Sequence, residues 1–70
     1  MTKDELAKIE KYLRRLFAND TIKVKTRPRK DDSAEVFVGE EFVGVLFKDD
    51  EDDEVSYNFT MAILDYDLKD

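Results

Sequence analysis

Asp49-Asp50-Glu51-Asp52-Asp53-Glu54 sets six carboxylates in a row between two apolar stretches, and carboxylate oxygens are the natural ligands of a hard cation. A calcium loop takes its ligands at positions 1, 3, 5, 7, 9 and 12, with Gly at 6 and a bidentate Glu at 12. Counting from Asp49 finds acids at 1, 3 and 5, but Glu54 stands at 6 and Thr60 at 12. Counting from Asp50 puts Val55 at 6 and Met61 at 12. Neither frame closes a cage, so no metal is assigned. The run reads as the solvated connection of a hairpin, where like charge repels edge-to-edge pairing.

Other chemistry is thinly supplied. Histidine and cysteine are both absent, which removes the commonest general base, thiol chemistry, disulfides and Cys-based metal sites. Carboxylates can act as acid and base when burial raises one pKa, but these cluster in segments that read as loops and turns. Two glycines are too few for a phosphate-cradling loop, and no nucleophile–base spacing occurs. A non-enzymatic protein is expected, with no catalytic residue and no cofactor.

The basic stretch "KVKTRPRK" offers Lys23, Lys25, Arg27, Arg29 and Lys30 as contacts for phosphates or for an acidic partner. The commoner use of such a run is a charged edge strand that discourages aggregation.

Five elements must position these groups. Leu6, Ile9, Leu13, Leu16 and Phe17 recur at helical steps and line one apolar face. Thr2 and Glu5 fit a capping box, and Asn19-Asp20 is a plausible stop because Asn tolerates the left-handed conformation. "TIKVKTR" then alternates as a half-buried strand, and "PRKDDS" reads as a loop. "AEVFVGEEFVGVLF" reads as two strands joined by a type II′ turn at Gly39-Glu40.

That turn sets Phe37 opposite Phe42 and Val36 opposite Val43. Ala34, Val36, Val38, Val43, Val45 and Phe47 would then face the core. "VSYNFTMAIL" supplies a fourth strand, pairing Tyr57 with Phe47, Phe59 with Val45 and Met61 with Val43, and leaving residues 49–55 as the connection. Lys25 opposite Glu35 puts Val24 beside Val36 and suggests a cross-strand ion pair. Tyr12 and Tyr57 are expected in or near the core, hydroxyls at its rim. The expected fold is α+β, a single domain over residues 1–70, with an N-terminal helix on one face of a four-stranded antiparallel meander.

On this register Phe37, Phe42, Leu46, Ala62 and Leu64 form an apolar patch on the outer sheet face, too large to leave wet. A homodimer, or an unidentified protein partner, is the expected occupant, with Phe37, Phe42 and Leu46 as anchors. The alternative is single-stranded nucleic acid, stacked on the two phenylalanines beside the basic first strand. It is disfavoured because the aromatic–glycine pattern of an RNA-recognition strand is missing and the adjoining loops are acidic.

Seventy residues bury only a modest core, which oligomerisation would supplement. Charge divides along the chain: residues 1–30 carry +6 and residues 31–70 carry −12, giving the overall −6. Such a split invites pairing between copies or within one. No apolar run approaches the roughly 20 residues of a membrane helix, and the N-terminus lacks the apolar core of a signal peptide, so a cytoplasmic protein is expected.

"YLRRLF" (12–17), "RPRKDDSAEVFVGEEFVGVLFKDDEDDE" (27–54) and "YNFTMAILDYDL" (57–68) resemble one family of short, single-domain alphaproteobacterial proteins catalogued as a domain of unknown function. The resemblance covers nearly the whole chain, with "DDSAEVFVGEEFVGVLFKDDEDD" its most specific part. It implies a bacterial cytosolic protein that stands alone. It carries over no activity, cofactor or catalytic residue.

Overall fold

The computed structural model describes residues 1–27, 30–51 and 53–69, and of Lys30 and Asp31 the backbone alone. Helix α1 (Lys3–Leu16) precedes strands β1 (Ile22–Arg27), β2 (Lys30–Val38), β3 (Glu41–Asp49) and β4 (Ser56–Thr60), and a 3₁₀ turn spans Asp65–Leu68. The strands form one antiparallel sheet in the order β1-β2-β3-β4, with the helix on one face, so the α+β meander expected from the sequence is the fold.

The helix starts as its sequence dictates. Thr2 accepts from the Glu5 amide at 3.1 Å and its own amide donates to Glu5 Oε1 at 2.9 Å, which completes the capping box. Its end differs. The left-handed residue is Ala18 (φ 52°), not Asn19. The Asn19 amide donates to the Arg14 carbonyl at 2.9 Å and the Ala18 amide to the Arg15 carbonyl at 3.3 Å, a Schellman closure with alanine where glycine is cheapest. The Asn19 side chain instead accepts from the Thr21 amide and hydroxyl at 2.8 and 2.6 Å.

The β1–β2 ladder follows the expected register, with Ile22, Val24 and Lys25 opposite Val38, Val36 and Glu35. Strand β2 begins earlier than expected, at Lys30, so 30–33 is strand and not loop. At the β2–β3 hairpin Gly39 takes φ 63° while Glu40 stays out of the positive region, as a type II′ turn requires. Phe37 pairs with Phe42. Then the ladder slips. Val36 pairs with Gly44, not Val43, because β3 bulges there.

The bulge turns the rest of β3 over. Val43 and Gly44 both lie on the core side, so Leu46 points inward at 2% exposure, while Val45 and Phe47 take the outer face. The expected placement of Val45 and Phe47 in the core, and of Leu46 on the outer face, is thereby reversed. Gly44, beside the bulge, is where β4 comes closest. A Cβ there would stand 2.5 Å from the Thr60 carbonyl oxygen and 2.6 Å from the Phe59 ring, so β4 can lie close only over a glycine. The β3–β4 ladder is shifted to match, with Leu46 opposite Phe59 and Lys48 opposite Tyr57.

The core is small: Leu6 and Leu13 of the helix, Ile22, Val24, Ala34, Val36 and Leu46 of the sheet, with Met1, Ile9, Val38, Val43 and Phe59 packed at its margin. Beyond Thr60 the chain leaves the sheet, four residues sooner than the sequence pattern suggests, and every residue from Thr60 to Lys69 is exposed. The protein measures 44 × 23 × 23 Å, with a radius of gyration of 13.0 Å. A compact chain of this length would have about 11 Å.

Two substitutions test these backbone readings by urea unfolding. Ala18→Gly should stabilise by about 0.5–1 kcal/mol, since it relieves a left-handed alanine. Gly44→Ala should destabilise by about 1–3 kcal/mol, because β4 must move off the new methyl.

Candidate functional site

Two contacts fix where the helix sits. On one flank the Arg14 Nε donates to the Ile22 carbonyl at 2.8 Å, and Glu10 holds the same guanidinium at 3.1 Å, which ties α1 to β1. At the N-terminal end Glu5 reaches across to the far strands. Its Oε2 accepts from the Tyr57 hydroxyl at 2.6 Å and pairs with Lys48 Nζ at 2.8 Å, while Oε1 serves the helix cap. Only the bulge brings Lys48 to this side. Lys48 first, then Tyr57 and the Thr2 amide, hold the Glu5 carboxyl down at about 2 from an ordinary 4.5. The same contact raises Lys48 and Tyr57 above their ordinary values.

Pinned along β1 and at one end, the helix leaves the β4 side uncovered towards its own C-terminus. An open groove of about 420 Å³ runs there, walled by Ile9, Tyr12, Leu13, Leu16 and Phe17 of α1 and floored by Leu46, Tyr57 and Phe59. It continues past Phe17 into a second hollow of about 230 Å³ lined by Val38, Val43 and Met61. Lys8 borders the helix wall, and the Arg15 guanidinium lies 5.7 Å from the Tyr12 ring centroid. Leu16 and Phe17, on the apolar face read for the helix, are 58% and 55% exposed. Tyr12 is also exposed rather than packed in the core.

The outer face has a different membership from the expected patch, with Val45 and Phe47 in place of Leu46. Phe37 and Phe42 do meet there, edge to face at 5.7 Å, and Phe42 remains half-exposed. Leu46 is in the core, and Ala62 and Leu64 lie beyond β4, so neither belongs to a sheet face. Among the basic candidates, Lys23 and Lys25 are exposed on β1 and Arg27 is half-buried at its end. Lys25 does not pair with Glu35. Its Nζ lies 4.9 Å over the Phe37 ring, and among the described residues the ion pairs are Glu10–Arg14 and Glu5–Lys48. Lys30 lies in β2, and Arg29 falls outside the described residues.

The acidic run bridges β3 and β4 from Asp50 to Val55, with Asp49 still paired to Ser56. Among the described residues no group of three or more carboxylates is placed to hold a metal ion. Nor, among them, is any helix long and apolar enough to cross a membrane.

The sequence signal for the groove was present but read differently. The helical stripe from Leu6 to Phe17 names one of its walls, but the pattern marks only an apolar face and not how much of it the sheet covers. The family described as "Protein of unknown function (DUF3126)" matches residues 5–67, and the chain belongs to it. No curated protein and no solved structure matches the chain.

The Glu5 contact can be read by titration. Its contribution to stability is complete above the ordinary value of 4.5 and is lost as pH falls through about 2. Carboxyl NMR shifts should place the Glu5 midpoint near 2, and Lys48→Met should move it up towards 4.5.

Proposed function

We propose that this DUF3126 protein is a non-enzymatic interaction module that pairs with a second copy of itself through the groove between α1 and β4. One observation carries the reading. The apolar stripe of α1 is continuous, yet it is buried on the sheet at Leu6 and Leu13 while Leu16, Phe17 and neighbouring Tyr12 stand half-exposed or more. A helix with such a stripe needs a surface to cover it, and a core this small gains most from one supplied by another chain. The groove is preferred to the outer sheet face because the latter, which exchanges Leu46 for Val45 and Phe47, interleaves its apolar residues with Lys23, Lys25 and Glu35.

A non-enzymatic role is supported by what the carboxylates do. Among the described residues Glu5 is the carboxylate whose pKa is shifted, and it moves away from neutrality, opposite to the need of an acid–base catalyst. Single-stranded nucleic acid is disfavoured at Phe37, where Lys25 lies 4.9 Å over the ring and Phe42 meets it edge to face at 72°, so that ring is already engaged. A bacterial, specifically alphaproteobacterial, origin and a cytoplasmic location belong to the same proposal, on the strength of the resemblance.

Light scattering over a concentration series should give the mass of a dimer. Leu16→Glu should give a folded monomer, and Phe42→Asp should leave the dimer intact. A monomer from Phe42→Asp alone would return the interface to the outer sheet face.

A further inference from the structure

Resting on that reading, we infer that the occupant of the groove is the segment Met61–Leu68 of the second copy, exchanged reciprocally so that each chain lends its C-terminal arm to the other. The arm is built for such a berth. Ile63, Leu64, Tyr66 and Leu68 are each at least 60% exposed, an apolar load with no cover in its own chain. Asp65 and Asp67 interrupt it at single-residue intervals, and Asp67 caps the Leu64 amide at 3.2 Å, which shapes the arm as a 3₁₀ turn before it docks.

Charge matches the arm to the groove. The helix wall is bordered by Lys8 and by the Arg15 guanidinium over Tyr12, on the half of the chain that carries the positive excess. The arm belongs to the half that carries −12. Apolar residues flanked by aspartates fit an apolar trough flanked by cations.

Geometry favours exchange over return. Met61 already lines the end of the groove, so the arm leaves from its mouth. No turn or bend interrupts residues 61–64, and Leu64 is extended (φ −83°, ψ 147°), so the chain leaves β4 without a reversal before its 3₁₀ turn. A twofold operation brings two such arms past each other into opposite grooves. Four arm residues and three groove residues still expose on the order of 100 Å² each. Covered on both copies, that amounts to about 1,400 Å², within the range of about 1,200–2,000 Å² seen for stable pairs.

The test combines scattering with zero-length carbodiimide cross-linking of mixed heavy- and light-isotope copies of the full chain. The wild type should be a dimer, with Lys8 joined to Asp65 or Asp67 between a heavy and a light copy. The pair Leu64→Asp and Leu68→Asp should weaken dimerisation by roughly 100-fold or more, the loss of two buried leucines, with an unchanged circular dichroism spectrum. A dimer that survives this pair of changes, or Lys8 cross-links confined to a single copy, overturns the exchange and leaves self-association standing. A wild-type chain that is monomeric at the highest concentration overturns self-association itself. The cross-link is read on the unaltered protein, so it decides the matter even if the doubly changed chain does not fold.

Discussion

β4 can cross over β3 only where β3 has nothing to put in its way. That condition is met at Gly44, where a methyl would meet the Thr60 carbonyl and the Phe59 ring at once. The consequences spread from there. Two neighbouring residues, Val43 and Gly44, share the core side, and every later side chain of β3 is turned over relative to simple alternation. Leu46 becomes a core residue. Lys48 arrives beneath the helix cap, where Glu5 and Tyr57 meet it. The register shift beside Gly44 thus accompanies both the packing of the sheet and the contact that anchors the start of α1.

Local chemistry was legible in the sequence and remote chemistry was not. The capping box, the II′ turn at Gly39 and the β1–β2 register depend on residues a few positions apart, and each lies where the pattern puts it. The bulge falls beside Gly44, whose bare backbone is closely approached by Phe59 and Thr60 of a neighbouring strand remote in sequence. An alternation argument carries such an error forward unopposed, which is why Val45, Leu46 and Phe47 were all assigned to the wrong side together. Helix closure misled for a different reason: Asn19 has the better intrinsic tolerance of positive φ, but its carboxamide is committed to Thr21, and Ala18 takes the strained position.

The groove was half legible. A stripe at Leu6, Ile9, Leu13, Leu16 and Phe17 announces a buried helix face, and the sequence has no means of saying how much sheet there is to bury it. The answer lies in how α1 is fastened. Arg14 holds its last turn to β1 and Glu5 holds its first turn to β3 and β4, so the β4 side stays open towards the C-terminal end. Ion pairs of this exposed kind contribute little to stability. Here their effect is positional, since they choose which apolar residues the fold leaves open.

The long axis of the molecule, nearly twice its other dimensions, has a hydrodynamic corollary. A particle of that aspect drags more solvent and tumbles more slowly than a sphere of the same 8.2 kDa. One copy will therefore pass through a porous matrix ahead of globular standards of equal weight, and retention volume alone would exaggerate its stoichiometry. Two copies that overlap their arms would shorten relative to their mass, so pairing and apparent size would not rise in proportion.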